Sequence, residues 1–354
     1  MNRLGIENPI ILAPMAGGPG TPELVAAVSN AGGLGSLGAA YMSPAEIKDA
    51  AARIRASTSK PFAINLFAGD WEVDPGVDPV RMVELLSEIH GRLGLAPPAV
   101  PKLPPDPFGQ QLGAVMEVRP AAFSFTFGIP PADAIARLKA LGLVTMGTAT
   151  TVDEARALAR AGVDAVIAQG GEAGGHRGTF LGPVESALIP TLDLVRAIAT
   201  TISLPVIASG GLMAGRDIAA ALAAGASAVQ LGTAFLACPE SGASEAYKNA
   251  ILNAREDTTV ITRAFSGRAA RGLTNEFIAK LAGREDIILP YPLQNILTRA
   301  MRTAAGKTGA ANYLSLWAGQ GVARARELPA AELVSRLTEE TSHGTTMADN
   351  ATRV

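Results

Sequence analysis

The sequence predicts an α/β fold, a (β/α)8 barrel of the TIM-barrel type. Short apolar runs typical of buried strands alternate with amphipathic helical patterns along the first 239 residues. Eight such runs are present, and each is followed by a segment long enough for the crossover that parallel strands require. Glycine-rich or polar residues come directly after most of the runs, as expected for loops at the mouth of a barrel.

The individual elements follow from the same patterns and from local helix signals. The first predicted helix has Thr21 as N-cap and Pro22 at its first position, and the second begins with a capping box formed by Ser43 and Glu46. The predicted strands span residues 9–15, 33–39, 61–67, 121–127, 144–148, 164–168, 205–208 and 228–231. The predicted helices between and around them span residues 21–31, 43–57, 78–93, 131–140, 151–161, 192–200 and 215–224.

The alternation is interrupted once and then ends, which divides the chain into parts. Residues 1–239 form the predicted barrel, and residues 69–119, where the pattern loosens and becomes rich in proline, form an insertion after the third strand. Residues 240–342 are predicted to form a mainly helical lobe that covers the mouth, and residues 343–354 a flexible tail. Whether the insertion acts as a lid is left open.

Composition excludes several classes of function. Charged residues make up 18% of the chain and the net charge is −2, so no basic surface for nucleic acid is indicated. A single cysteine, Cys238, excludes an intrachain disulfide, and with only three histidines no metal site is expected. The apolar stretch 218–237 is broken by Gly225 and Gly232, so it indicates a buried helix and strand and no membrane span. A cytoplasmic monomer or homodimer is expected.

The stretch with the strongest chemical signal is residues 169–178, QGGEAGGHRG, which directly follows a predicted strand. Glycines permit positive φ and let a ligand approach the backbone closely. His176 stands at the end of this loop, and histidine is the side chain whose ordinary pKa lies nearest neutrality. We expect His176 to carry the chemistry; the alternative is a structural histidine bonded to the loop backbone.

Two further loops predict a phosphate site. Residues 208–211 (ASGG) and 230–233 (QLGT) follow the seventh and eighth strands and offer consecutive backbone N–H groups near helix starts. This is the place where barrels commonly bind phosphate. The alternative is that the glycines only form tight turns.

Together these motifs resemble the nitronate monooxygenase family, of the bacterial class I type. The resemblance extends over nearly the whole chain and implies a barrel that binds FMN and oxidises alkyl nitronates, such as propionate 3-nitronate, or nitroalkanes with O2. The products would be a carbonyl compound and nitrite. It is carried by residues 12–18 (LAPMAGG), 29–35 (SNAGGLG), 169–178, 208–211, 230–233 and 316–321 (LWAGQG).

The resemblance implies roles for particular residues. His176 corresponds to the family's catalytic histidine and would act as a base or orient the substrate. Several relatives carry a second histidine where this chain has Thr126, so any role of that histidine is in doubt here. The residues implied to contact FMN are Met15, Ala16, Asn65, Gln169, Gly174, Gly210, Gly211, Gln230, Leu231, Gly232 and Thr233.

Two other functions remain as alternatives. The nearer one is an FMN-dependent reductase on the same barrel, which would use NAD(P)H to reduce a quinone or an enoyl thioester. The other is a barrel without flavin that binds a phosphorylated metabolite. Whether Lys307, Tyr313 or Trp317 of the lobe lines the substrate pocket is left open.

Overall fold

The computed structural model describes residues 4–69 and 76–351, with side chains described as far as His343. All eight predicted barrel strands are present, and three further strands accompany them. In chain order the strands are β1 (Ile10–Leu12), β2 (Gly35–Gly38), β3 (Phe62–Phe67), β4 (Ala122–Thr126), β5 (Val144–Ala149), β6 (Ala165–Gln169), β7 (Gly175–His176), β8 (Val206–Ser209), β9 (Ala228–Leu231), β10 (Thr259–Thr262) and β11 (Ala270–Leu273).

The eight strands that the sequence predicts form one parallel sheet in the order β1-β9-β8-β6-β5-β4-β3-β2. The two ends of this sheet meet at a parallel bridge between Ile11 and Leu34. There the N–H of Leu34 donates to the carbonyl of Ile10 at 3.0 Å, and the N–H of Leu12 donates to the carbonyl of Leu34 at 2.9 Å. These bonds close the sheet into the predicted barrel.

Helices cover the outside of the barrel and build the lobe. Thr21 and Ser43 cap the first two helices as predicted, and the Ser43 cap is a complete capping box with Glu46. The helices are α1 (Pro22–Asn30), α2 (Pro44–Ser57), α3 (Val80–Arg92), α4 (Phe108–Val118), α5 (Ala132–Ala140), α6 (Val152–Arg160), α7 (Thr191–Ala199), α8 (Gly215–Ala223), α9 (Glu245–Leu252), α10 (Glu276–Lys280), α11 (Leu293–Leu297), α12 (Arg299–Thr308) and α13 (Ala330–Ala351).

The insertion after β3 is shorter than the sequence predicts. Leu112 and Val115 of α4 are buried against the barrel, so α4 is the barrel's own helix after β3. The sequence pattern does not reveal α4, because three prolines and a glycine surround its start. Met82 of α3, by contrast, is buried in the core of the lobe. Residues 70–75 of the predicted insertion lie outside the described residues.

The lobe also ends earlier than predicted. Leu333 and Leu337 of α13 are buried in the barrel's core, and α13 packs against α8 and α1. The helix that follows the last barrel strand is therefore α13, and the lobe is inserted between β9 and this helix. The lobe has its own apolar core. It contributes β10 and β11, which pair with each other, and β11 also pairs with β7, so that the three strands form a small antiparallel sheet.

The predicted tail, residues 343–354, is helical as far as Ala351, and its last three residues lie outside the described residues. In the part of the chain that the structure describes, no helix combines the length and the apolar character needed to cross a membrane.

Candidate active site

One cavity of about 610 Å³ lies at the carboxyl ends of the barrel strands, between the barrel and the lobe. The size is typical of sites for small ligands and cofactors. The residues that the sequence suggests for catalysis or FMN contact all line this cavity: Met15, Ala16, Asn65, Gln169, Gly174, His176, Gly210, Gly211, Gln230, Leu231, Gly232 and Thr233.

The loop between β6 and β7 is held in place by its own polar side chains. Gln169 donates from Nε2 to the carbonyl of His176 at 2.9 Å and accepts from the N–H of Gly178 at 2.8 Å. Arg177, the charged residue next to His176, is fully buried and donates to the carbonyls of Gly170 and Ala187 at 2.6 and 3.0 Å. Its role is thus to fix the loop and not to bind a ligand.

His176 lies in β7, which pairs with β11 of the lobe. Its Nε2 atom is 2.8 Å from Oγ of Ser266. Rings of aromatic residues surround the imidazole, with centroid distances of 5.4 Å to Trp317 and 5.9 Å to Phe127. The histidine that the sequence placed in a loop is therefore held from both sides, by the barrel and by the lobe.

The surroundings of His176 disfavour its charged form. Burial lowers its pKa from the ordinary value of 6.5 to about 3, and the positive charges of Arg268 and Arg302 act in the same direction. The imidazole is therefore neutral near pH 7, and it carries a lone pair on one ring nitrogen.

The cavity carries positive charge without nearby carboxylates. Arg299 and Arg302, both from α12, line it, and no Asp, Glu or Lys belongs to its described lining. Arg302 is held in place by donating to the backbone carbonyl and the side-chain oxygen of Asn295, both at 2.8 Å. Such a cavity favours anionic ligands.

The two predicted phosphate loops have backbone N–H groups to offer. The N–H groups of Gly211, Gly232 and Thr233 have no hydrogen-bond acceptor among the described residues. Glu172 braces this region from outside by accepting from the N–H and the hydroxyl of Thr191, at 2.9 and 2.7 Å. Glu172 is therefore a structural support of the loop.

Residues 316–321 join the lobe to two barrel loops, the one after β6 and the one after β9. The N–H of Gly319 donates to the hydroxyl of Thr233 at 3.0 Å, and the N–H of Gln320 donates to the carbonyl of Glu172 at 3.0 Å. A Cβ at Gly174 would lie 2.4 Å from the backbone nitrogen of Gly319, so the two backbones touch directly. These contacts explain why both stretches are rich in glycine.

The structure also decides which lobe residues line the cavity. Trp317 does, whereas Tyr313 and Lys307 do not belong to the described lining. Tyr313 instead donates to Glu276 at 3.0 Å on the outer side of the lobe. Sequence reasoning missed Arg299 and Arg302, because nothing in the local pattern shows which side of a lobe helix faces the mouth.

Cys238 and His90 lie outside the cavity lining, whereas Thr126 belongs to it. Cys238 is buried, and burial raises the pKa of its thiol to about 12. His90 lies away from the cavity, with Nδ1 2.6 Å from the carbonyl of Ala96. Thr126 does line the cavity, 3.4 Å from the hydroxyl of Thr148. The described residues contain no cluster of His, Cys, Asp and Glu that could hold a metal ion.

Comparisons with known proteins show which family the chain resembles. The family model described as nitronate monooxygenase matches residues 2–340. The chain is 46% identical over 347 residues to the nitronate monooxygenase of Pseudomonas aeruginosa, covering 95% of this chain and 97% of that protein. It is 42% identical over 335 residues to the probable nitronate monooxygenase of Staphylococcus aureus strain Newman, covering 94% of each.

Solved structures show the same fold. The nitroalkane oxidase of Streptomyces ansochromogenes superposes with a TM-score of 0.91 at 40% identity, covering 97% of this chain and 98% of that one. FabK of Thermotoga maritima superposes with a TM-score of 0.78 at 30% identity, covering 99% and 97%.

Proposed function

The chain belongs to the nitronate monooxygenase family and is an oxidoreductase, and we propose that it uses FMN and O2 to convert alkyl nitronates into a carbonyl compound and nitrite. The observation that carries this proposal is the combination, in one cavity, of a neutral histidine with two arginines and no lining carboxylate. A nitronate is an anion, and this cavity offers it positive charge and hydrogen-bond partners.

The residues present fit FMN. The unpartnered N–H groups of Gly211, Gly232 and Thr233 suit a phosphate, since backbone donors at the seventh and eighth loops are the usual phosphate site of such barrels. Gly210 and Gly211 have φ values of +133° and +70°, which favour glycine. The remaining contacts proposed for FMN are Met15, Ala16, Asn65, Gln169, Gly174, Gly210, Gln230 and Leu231, all on the cavity wall. When bound, FMN supplies the electron transfer and the reaction with O2.

The arginines are proposed to attract and hold the anionic substrate. Arg299 is exposed at the rim of the cavity, and Arg302 lies deeper and is fixed by Asn295. The first can draw an anion towards the mouth, and the second can hold it near His176, on whose pKa it acts.

His176 is proposed to orient the substrate, or to act as the base when the substrate is a neutral nitroalkane. A nitroalkane becomes a nitronate when it loses its α-proton, and a neutral imidazole can accept that proton. The low pKa means that the resulting imidazolium is stabilised mainly by the nitronate formed beside it. We therefore expect nitronates to be better substrates than nitroalkanes.

The alternative is an NAD(P)H-dependent reductase on the same barrel, which the likeness to FabK keeps open. One pair of measurements separates the two. FMN-loaded protein should release nitrite from propionate 3-nitronate in air, at a rate that NADH does not change. Under anaerobic conditions, NADH and NADPH should leave the flavin absorbance of the oxidised form intact. Rapid bleaching by either nucleotide, without nitrite release in the first assay, would overturn the proposal in favour of the reductase.

A further inference from the structure

The hydroxyl of Ser266 is the direct partner of His176, and its own surroundings are unusually well defined. Ser266 is buried, and its Oγ is 2.8 Å from Nε2 of His176. The same Oγ donates to the carbonyl of Arg268 at 3.0 Å and accepts from the N–H of Arg268 at 3.2 Å. Among the described residues, this hydroxyl therefore has three hydrogen-bond contacts.

Counting hydrogens at this hydroxyl decides which nitrogen of the imidazole carries the proton. A hydroxyl has one hydrogen to donate and two lone pairs. If Ser266 donates to the carbonyl of Arg268, Nε2 of His176 must donate to Oγ, and all three bonds form. If Ser266 donates to Nε2 instead, the carbonyl loses this donor and only two bonds form. The first arrangement satisfies more of these buried groups.

We propose that Ser266 is a positioning residue, which holds His176 in the tautomer with hydrogen on Nε2 and so presents the lone pair of Nδ1 to the cavity. His176 lines the cavity, and no partner for Nδ1 is found among the described residues. This assignment rests on the proposed function, because only a substrate with an acidic C–H needs a base at that position.

The turn that carries Ser266 is rigid enough for this role. The fully buried side chains of Gln294 and Thr298 donate to the carbonyls of Ala264 and Phe265, at 2.7 and 2.6 Å. Both donors belong to the lobe segment that also bears Arg302. These buried amide and hydroxyl groups fix the turn against the lobe, which keeps Oγ of Ser266 at its place beside the imidazole.

The orientation has a chemical consequence for a neutral nitroalkane. The C–H bond next to the nitro group breaks, its proton goes to Nδ1, and its electron pair moves into the nitro group to give the nitronate. With Nε2 already bonded to Ser266, Nδ1 is the nitrogen available for this step. The imidazolium formed keeps its Nε2–H bond to Ser266 throughout.

The tautomer is directly measurable, because the chain has only three histidines. Long-range ¹H–¹⁵N spectra of FMN-loaded protein, labelled at the histidine ring nitrogens, distinguish hydrogen on Nε2 from hydrogen on Nδ1. His90 serves as an internal reference of the opposite kind, since its Nδ1 faces the carbonyl of Ala96 and must donate. Wild-type protein at pH 7 should show His176 with hydrogen on Nε2. A signal from hydrogen on Nδ1 would overturn the proposal without any variant.

Variants then test whether Ser266 is responsible. In Ser266→Ala the Nε2-bound proton signal of His176 should be lost to exchange, whereas Ser266→Thr, which keeps the hydroxyl, should retain it. Ser87→Ala is the matched control, because it removes another hydroxyl that donates to a backbone carbonyl, that of Val83, and Ser87 does not belong to the described lining of the cavity.

Kinetics provide the second measurement. For a neutral nitroalkane, Ser266→Ala should lower kcat roughly tenfold with KM changed by less than about twofold, as expected when an oriented hydrogen bond is lost. An unchanged spectrum and kcat in Ser266→Ala would refute the positioning role. This failure is distinct from that of the proposed function, which would appear as absence of nitrite release from propionate 3-nitronate in the wild-type protein.

Discussion

The low pKa of His176 makes the stability of the protein depend on pH in a way that one substitution can isolate. In the folded protein, burial and two arginines lower this pKa to about 3, whereas in the unfolded chain it has its ordinary value of 6.5. Between these values the unfolded chain binds a proton at His176 that the folded protein does not bind. Stability is therefore lost as the pH falls below about 6.5.

The size of the loss at pH 5.0 follows directly. The folded imidazole is uncharged at both pH 7.5 and pH 5.0, so only protonation of the unfolded chain counts. A pH of 5.0 lies about 1.5 units below the pKa of the unfolded chain. At about 1.36 kcal/mol per unit, protonation of the unfolded chain lowers the free energy of unfolding by roughly 2 kcal/mol. His176→Asn removes the titrating group and should remove this loss.

The test compares urea unfolding of wild type and His176→Asn at pH 7.5 and pH 5.0, with equal FMN content. The free energy of unfolding of wild type, relative to the variant, should fall by roughly 2 kcal/mol between the two conditions. His343→Asn is the matched control, because this side chain is exposed on α13 and should shift the difference by less than about 0.5 kcal/mol. A constant difference for His176→Asn would refute the conclusion that the folded site excludes the charged imidazole.

Three further predictions concern the glycines and the histidine of the site. In Gly174→Ala the new Cβ would lie 2.4 Å from the backbone nitrogen of Gly319 and should cost about 1–3 kcal/mol in urea unfolding. Gly113→Ala in α4 has open space and should instead add about 0.5–1 kcal/mol; equal effects would contradict the interlocked backbones. Gly232→Leu should weaken FMN binding roughly tenfold or more in a fluorescence titration, because its side chain would enter the proposed phosphate site. Unchanged affinity would refute this position for the phosphate. His176→Asn should lower kcat/KM for a neutral nitroalkane, followed by oxygen uptake, more than for its nitronate; equal losses would argue against proton abstraction.

The barrel could be predicted from the sequence because its signals are local. Period, capping residues such as Ser43 and glycine-rich strand ends all lie within a few residues of the element they define. The carboxyl ends of the strands then meet by the geometry of the fold. Residues as distant in sequence as Met15 and Gly232 can therefore be predicted to line one cavity, as they do.

The contribution of the lobe could not be predicted in the same way. Arg302 reaches the cavity, and Ser266 reaches His176, only through the packing of α12 and of a turn in the lobe, and their sequence neighbours carry no motif. Arg177 shows the opposite limit. A charged residue in a glycine-rich loop suggests exposure, yet its guanidinium is buried and donates to three backbone carbonyls, those of Gln169, Gly170 and Ala187. The predicted bounds of the insertion and of the lobe differ from the structure, because the sequences of α4 and α13 do not show that these helices pack against the barrel.

The position of the lobe between β9 and α13 has a consequence for the order of events during synthesis. The last barrel strand leaves the ribosome about a hundred residues before the helix that must cover it, because the entire lobe is translated in between. During that time the groove between α8 and α1 has no α13 to fill it. We expect the nascent barrel to remain open to partners such as chaperones until α13 emerges, and the lobe to meet the strand ends before the barrel wall is complete.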